Sequence, residues 1–262
     1  MKRIASALVA APVFIILVWY GSYNLFAFAV AVIAAVSFNE FVQMSKQRGI
    51  ELFRAHGLIS AVILPISFIG GVETVYAVAA LIIVSAFAAA VAKGKPEMES
   101  LAYTLAGIFY VGLLFASFIL VRGLPEGNKI VLLVCCSVWG ADIGAYYAGR
   151  TFGKHKLAPA ISPGKTIEGL FGGILLGFVA AWLFSAYLLP GADVVMIIAA
   201  GLIGSVIGPI GDLSESLLKR YFGVKDSGNI MPGHGGALDR LDALMFAMPV
   251  YYVFLLLKGY GS

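Results

Sequence analysis

Long apolar segments alternate with short polar ones along the whole chain. We count nine such segments, separated by turns that contain Gly, Pro or charged residues. They cover residues 4–20, 23–43, 57–71, 75–92, 100–121, 130–149, 168–189, 194–218 and 241–257. Most approach the roughly 20 residues that a helix needs to cross the hydrocarbon core of a bilayer. Because they are continuous rather than alternating, they predict transmembrane helices and exclude a transmembrane β-barrel.

The composition excludes the soluble classes of protein. The chain of 262 residues is 61% hydrophobic and 12% charged, whereas a soluble domain is about a quarter charged. Its 31 glycines are typical of helices that pack closely in lipid. Cys135 and Cys136 are adjacent within an apolar segment, so we interpret them as core residues rather than a redox pair. We therefore predict an all-α polytopic membrane protein with about nine transmembrane helices.

The positive charges predict an orientation. If the N-terminus is cytoplasmic, 15 of the 18 Lys and Arg residues lie in cytoplasmic segments, as the positive-inside rule requires. Nine crossings then place the C-terminus outside. The net charge of +4 is explained by this asymmetry, so we predict no nucleic-acid partner. Met1 to Arg3 and the apolar run after them are interpreted as an uncleaved first helix.

The acidic residues divide the chain into two parts of one membrane unit. Residues 1–129 carry six acids, five of them in or beside loops, and are interpreted as scaffold helices. Residues 130–262 carry eight and are predicted to be the catalytic region, since an acid inside a span needs a functional reason. The acids that the topology brings to the cytoplasmic boundary are Asp142, Glu168, Asp212, Glu215, Asp239 and Asp242. Glu40 and Arg54 are expected to lie outside the site.

Two polar, glycine-containing loops accompany these acids, at residues 150–166 and 225–236. Glycine lets backbone N–H groups approach phosphate oxygens, and the pair Lys165-Thr166 before a helix favours an anion. Neither loop is a Walker A sequence. Carboxylates suit Mg²⁺, which also binds substrate phosphates, and no Cys/His cluster favours zinc. Acids and loops together predict a metal–polyphosphate site at the membrane surface.

One long run carries a specific pattern. It extends from Ser216 to Asp242 and includes Lys225-Asp-Ser-Gly, Pro232-Gly-His-Gly-Gly and Asp239-Arg-Leu-Asp242. This run resembles the signature of the phosphatidate cytidylyltransferases, also called CDP-diacylglycerol synthases. The segments 208–216 and 162–169 fit the same family, and the similarity is strongest over residues 138–245.

The resemblance implies an all-helical membrane enzyme that forms a homodimer. Such an enzyme makes CDP-diacylglycerol and pyrophosphate from CTP and phosphatidate. It also implies Mg²⁺, a second, monovalent cation such as K⁺, and membrane lipid as a partner. The site is expected to face the cytoplasm, at the inner membrane of a bacterium.

The reaction assigns roles to individual residues. Because a phosphate oxygen attacks phosphorus, the enzyme must supply positive charge and alignment rather than a nucleophile. We assign catalysis to Asp212, Asp239 and Lys219, and magnesium binding to Asp142, Asp212, Asp239 and Asp242. Glu168 is expected to orient Lys165, and Glu215 is expected only to pair with Lys219. The expected substrate-binding residues are Lys165, Thr166, Glu168, Lys219, Arg220, Lys225, Asp226, His234, Gly235, Gly236 and Arg240.

Two alternative functions stay open. An ion-coupled transporter also carries intramembrane acids and glycine-broken helices, although the acids lie at the membrane edge and no repeat is visible. A related CTP-dependent enzyme, such as a polyprenol-type alcohol kinase or an archaeal-lipid cytidylyltransferase, would act on another lipid. The sequence does not expose the lipid cavity that chooses between these lipids.

Overall fold

The computed structural model describes residues 2–94, 97–228, 230 and 235–261, with side chains from residue 11 onward. In this part of the chain there are nine α-helices, a 3-10 turn and a two-stranded hairpin. They are α1 (Lys2–Tyr20), α2 (Tyr23–Gln47), α3 (Arg54–Ser67), the 3-10 turn (Phe68–Gly70), α4 (Val72–Lys93), α5 (Met98–Arg122), α6 (Gly127–Phe152), β1 (Lys156–Ala158), β2 (Ser162–Thr166), α7 (Ile167–Leu188), α8 (Val194–Phe222) and α9 (Leu238–Leu257). The predicted all-α class is confirmed, and each apolar segment lies on one helix or, for the third, on α3 and the turn after it.

The helices identify an integral membrane protein. Among the described residues, seven helices of 20–29 residues are long and apolar enough to cross a bilayer. Two further apolar helices, Ala11–Tyr20 and Arg54–Gly70, are shorter. Large apolar side chains face outward, for example Val72 at 85% and Tyr76 at 76% exposure, which lipid tolerates and water does not. The nine crossings and the cytoplasmic N-terminus remain predictions.

The chain forms two compact units. Unit 1 contains Met1–Leu120 and Tyr221–Arg240, and unit 2 contains Val121–Arg220 and Leu241–Ser262. Each unit therefore combines two segments that are distant in sequence. The functional division predicted between residues 129 and 130 remains a prediction.

Unit 1 packs the segment after α8 against the N-terminal helices. The rings of Phe41 and Phe222 meet edge-to-face at 5.6 Å, and the guanidinium of Arg48 lies 3.9 Å from the centre of the Tyr221 ring. The N–H of Phe53 donates to Oγ1 of Thr104 at 3.0 Å, which joins the start of α3 to α5. Aromatic and polar contacts thus hold residues 221 and 222 beside α2.

Unit 2 is built on close contact between α6 and α7. Gly144 and Gly172 face each other so closely that a Cβ on Gly144 would clash with the carbonyl of Gly172. Two hydrogen bonds join neighbouring helices, from Oγ of Ser137 to the carbonyl of Ala200 at 2.8 Å and from the Tyr251 hydroxyl to Met196 at 3.0 Å. Small residues at the contact and interhelical hydrogen bonds are the usual means of helix association in lipid.

Two local features differ from the predicted loops. Residues 156–166 form an antiparallel hairpin in which Lys156 pairs with Thr166 and Ala158 with Ser162. Helix α8 continues to Phe222, four residues past the predicted span. It ends where Gly223 adopts a φ of +75°, a left-handed conformation that favours glycine at a helix end.

Candidate active site

A cavity of about 540 Å³ opens in unit 2. Residues of α6, the hairpin, the start of α7 and α8 line it. Its polar lining side chains are Asp142, Tyr146, Arg150, Lys165, Thr166 and Asp212. Four of these six were predicted for the site, so unit 2 brings together predicted residues from three separate segments of the sequence.

Lys165 and Asp212 form an ion pair in this cavity. Nζ of Lys165 lies 2.7 Å from Oδ2 of Asp212 and 3.4 Å from the carbonyl oxygen of Pro209. The two side chains are 23% and 39% exposed, so both charges remain accessible from the cavity. A partly exposed pair of this kind is worth on the order of 1 kcal/mol or less. An anion or a cation can therefore replace either partner at little cost.

The hairpin fixes where Lys165 begins the next helix. Thr166 ends β2, and its hydroxyl caps α7 by accepting the N–H of Gly169 at 3.1 Å. The N–H of Ile167 donates to the carbonyl of His155 at 2.9 Å, which closes the base of the hairpin. The predicted position of Lys165-Thr166 at a helix N-terminus is confirmed, an arrangement in which backbone N–H groups favour negative charge.

Glu168 anchors the hairpin instead of orienting Lys165. Its Oε1 lies 2.6 Å from Nδ1 of His155, and its Oε2 accepts the N–H groups of Lys154 at 3.1 Å and His155 at 3.2 Å. The prediction that Glu168 orients Lys165 is wrong. The carboxylate turns the other way because the segment before β1 presents several donors at one place.

Lys219 and Arg220 lie on α8, outside the cavity lining. Nζ of Lys219 lies 3.0 Å from Oε2 of the fully buried Glu215, which confirms the predicted pairing one turn apart. Asp242 is also buried, at 9% exposure, and accepts the N–H of Ala243 at 2.7 Å. The roles predicted for Lys219 in catalysis and for Asp242 in magnesium binding stay predictions. Nε of Arg220 lies 3.5 Å from the carbonyl of Ile161 at the tip of the hairpin.

The signature residues form a second cluster, in unit 1. Oδ2 of Asp239 accepts three hydrogen bonds of 2.8 Å, from the N–H and hydroxyl of Ser227 and from the N–H of Gly236. Gly235 has a φ of +78°, and a Cβ there would clash with the Asp239 carboxylate. The other predicted residues of the run, Lys225, Asp226 and Arg240, are exposed. His234 lies outside the described residues.

A family model describing the cytidylyltransferase family matches residues 1–258. The chain belongs to the cytidylyltransferase family. It is 34% identical to the phosphatidate cytidylyltransferase of Bacillus subtilis strain 168, over 98% of this chain and 97% of the relative. It is 36% identical to the proteins of that name from Staphylococcus epidermidis strain RP62A and Staphylococcus aureus strain COL. Each of these two alignments covers 97% of this chain and 98% of the relative.

The cavity of this cytidylyltransferase-family chain can hold a divalent cation only together with a ligand. Across the described residues, no group of three or more His, Cys, Asp or Glu side chains converges on a metal position. Asp142 and Asp212 nevertheless line one cavity. Mg²⁺ takes one or two protein carboxylates and completes its shell with water and substrate phosphates. The two carboxylates fit this pattern.

The sequence analysis missed Glu40, which the structure joins to the signature of the family. Its carboxylate is fully buried and accepts the N–H groups of Ala237 at 2.8 Å and Leu238 at 2.9 Å. Ser227 Oγ lies 3.2 Å from its Oε2. A signal was present, because Glu40 is the one acid inside the apolar segment of α2. Its distance in sequence from the other acids caused it to be set aside.

Proposed function

We propose that this chain is a phosphatidate cytidylyltransferase, which transfers CMP from CTP to phosphatidate and releases pyrophosphate in phospholipid biosynthesis. The observation that carries the proposal is the cavity of unit 2, where Lys165 at a capped helix N-terminus meets the Asp212 carboxylate. The named relatives align over nearly their whole length and support the same activity. CTP, phosphatidate and membrane lipid are the corresponding partners.

The chemistry is a substitution at phosphorus. A phosphate oxygen of phosphatidate attacks the α-phosphorus of CTP, and the bond to the β-phosphate oxygen breaks as pyrophosphate leaves with the bonding electrons. Both reactants are anions, so the barrier falls when positive charge and alignment are provided in advance. Lys165 and the N–H groups that open α7 provide them in the cavity. Arg150, whose Nη1 lies 3.0 Å from the Tyr146 hydroxyl, adds a second cation to the lining.

Magnesium, when bound, supplies Lewis-acid charge to the phosphate oxygens. Asp142 and Asp212 are the cavity residues that would hold it. Binding at Asp212 releases Lys165 from its present partner, so that the ammonium becomes available to phosphate. Asp239 and Asp242 keep their proposed roles as cation ligands, and K⁺ stays the proposed second cation.

We also propose the location and assembly of the enzyme. The asymmetry of Lys and Arg supports a cytoplasmic cavity, since Arg150 and Lys165 belong to a segment assigned to that side. The bacterial relatives support an inner-membrane location. The homodimer is supported by the family resemblance alone.

The test uses purified full-length protein in detergent with phosphatidate, Mg²⁺ and CTP labelled at either the α- or the γ-phosphate. We expect α-label in the lipid phase, pyrophosphate in the aqueous phase, loss of both with EDTA, and recovery with excess Mg²⁺. Transfer of γ-label to a lipid alcohol would instead identify a lipid kinase. Folded protein that transfers neither label to phosphatidate would overturn the proposal and return ion transport to consideration.

A further inference from the structure

We propose that Glu40 is a positioning residue of the cytidylyl transfer, which acts by holding the signature segment around Asp239 in one geometry. The inference rests on the proposed function and adds a residue outside the signature run. Glu40 belongs to α2, nearly 190 residues before the segment that it holds. All of its contacts used here lie within unit 1.

The burial of Glu40 requires a reason. Its side chain has 0% exposure on a helix long and apolar enough to span the membrane, where an uncompensated carboxylate is costly. Compensation comes from the start of α9. Oε1 accepts the N–H of Ala237 at 2.8 Å, and Oε2 accepts the N–H of Leu238 at 2.9 Å. These groups are at the positive end of the helix dipole, where a negative charge is stabilising.

Two signature glycines are explained by the same carboxylate. A Cβ on Gly228 would lie 2.9 Å from Oε1 of Glu40, too close for an ordinary contact. A Cβ on Gly236 would clash with Oε2 of Glu40 and with Oγ of Ser227. The backbone on both sides of residues 229–234 therefore approaches Glu40 at a distance that only glycine permits.

Ser227 connects Glu40 to Asp239. Its Oγ lies 3.2 Å from Oε2 of Glu40 and 2.8 Å from Oδ2 of Asp239. Its N–H donates to the same Asp239 oxygen at 2.8 Å. A hydroxyl carries one proton, so Ser227 can donate to only one of the two carboxylates at a time. The position of Ser227, and with it that of Asp239, thus depends on Glu40.

Glu40 contacts the segment and not the substrates, so its removal should disturb alignment more than binding. Misplacing a reacting group by about 1 Å can lower turnover roughly 100-fold. In Glu40→Gln, one oxygen acceptor becomes an NH₂ donor that faces a backbone N–H, whichever way the amide turns. We expect kcat to fall roughly 10- to 100-fold, while KM for CTP and for phosphatidate changes less than about threefold.

Two control variants separate positioning from simple loss of stability. Glu51→Gln removes an exposed acid of unit 1 and should leave kcat unchanged. Leu64→Ala removes a buried side chain of unit 1 and should lower Tm without lowering kcat, measured well below Tm. A folded Glu40→Gln enzyme with kcat within twofold of wild type would overturn the proposal. So would a loss of kcat that Leu64→Ala reproduces at equal Tm.

If Glu40→Gln does not fold, Ser227→Ala tests the same connection, because it leaves both backbone contacts of Glu40 intact. We expect a smaller fall in kcat, with KM unchanged. Normal kcat in Ser227→Ala would overturn the proposal in that case.

A readout independent of activity tests the geometry itself. Hydrogen–deuterium exchange in peptides covering residues 236–240 should accelerate in Glu40→Gln and stay slow in Glu51→Gln. Unchanged exchange would contradict the role of Glu40. If wild type transfers no CMP while exchange responds to Glu40→Gln, the proposed function fails and the contact of Glu40 with the segment stands.

Discussion

The cavity of unit 2 and the signature cluster of unit 1, formed by Glu40, Ser227, Gly236 and Asp239, both contain carboxylates, but they give them different partners. In the cavity, the partner of Asp212 is the ammonium of Lys165, and both side chains are partly exposed. In the cluster, Glu40 and Asp239 accept hydrogen bonds largely from backbone N–H groups, and Glu40 is fully buried.

This difference separates residues that exchange partners from residues that hold a shape. A lysine side chain can rotate away from a carboxylate when a phosphate or a cation arrives. A backbone N–H cannot leave without moving the segment to which it belongs. We therefore expect substitutions in the cavity to change the response to ligands, and substitutions in the cluster to change alignment.

The largest effect is expected in the cavity for Asp212→Asn. Losing a proposed magnesium ligand should lower kcat roughly 1000-fold, with folding intact because the side chain is partly exposed. CMP transfer and Tm are the measurements. Asp193→Asn, which removes an exposed carboxylate paired with Lys258 in the same unit, should be near wild type. Near-normal turnover in Asp212→Asn would show that this carboxylate is not essential to the reaction.

Asp239→Asn tests the cluster in the same way. The amide keeps one oxygen for the donors of Ser227 and Gly236 but loses the charge. If Asp239 also binds a cation, turnover should fall roughly 100-fold or more while exchange over residues 236–240 stays slow. Asp239→Ala, which removes the acceptor as well, should accelerate that exchange. Normal turnover in Asp239→Asn would limit the residue to holding the segment.

Lys165→Met should have an intermediate effect. The substitution keeps most of the length of the side chain and removes the charge, so we expect kcat/KM for CTP to fall roughly 10- to 100-fold. Lys156→Met, on the opposite strand of the same hairpin and exposed, is the matched control. Equal losses in the two variants would show that general positive charge matters rather than the Lys165 position.

The smallest effect is expected for Glu168→Gln. Its exposed contact with His155 is screened by solvent, and the amide oxygen can still accept a backbone N–H. We expect kcat/KM to fall less than about fivefold, with His155→Gln giving a similar change. A fall of 100-fold or more would return Glu168 to direct substrate contact.

The sequence predicted the helices well because lipid imposes a simple rule on them. A span must be apolar and about 20 residues long, so nine segments could be located from composition alone. It also placed Asp142, Lys165, Thr166 and Asp212 in one region, since three polar segments were assigned to one side of the membrane. The pairing of Glu215 with Lys219 followed from helical spacing.

The remaining features depend on tertiary contacts that no local pattern encodes. The hairpin at residues 156–166 is short, and Glu168 could not be assigned to His155 before its fold was known. Glu40 is separated from its partners by nearly two hundred residues, so no spacing rule connects them. Buried carboxylates find their donors through the fold, and a local reading of the sequence sees only that such donors are needed.

Glu40 also sets an order of events during biosynthesis. Its backbone partners follow it by 197 and 198 residues. At roughly 5–20 residues per second, a ribosome needs roughly 10–40 s to make them. During that interval the nascent α2 carries a carboxylate whose donors do not yet exist, so it cannot settle into its final dry position. Unit 1 therefore closes only after translation has reached the last helix, and a chain truncated before α9 should be a substrate for membrane quality-control proteases.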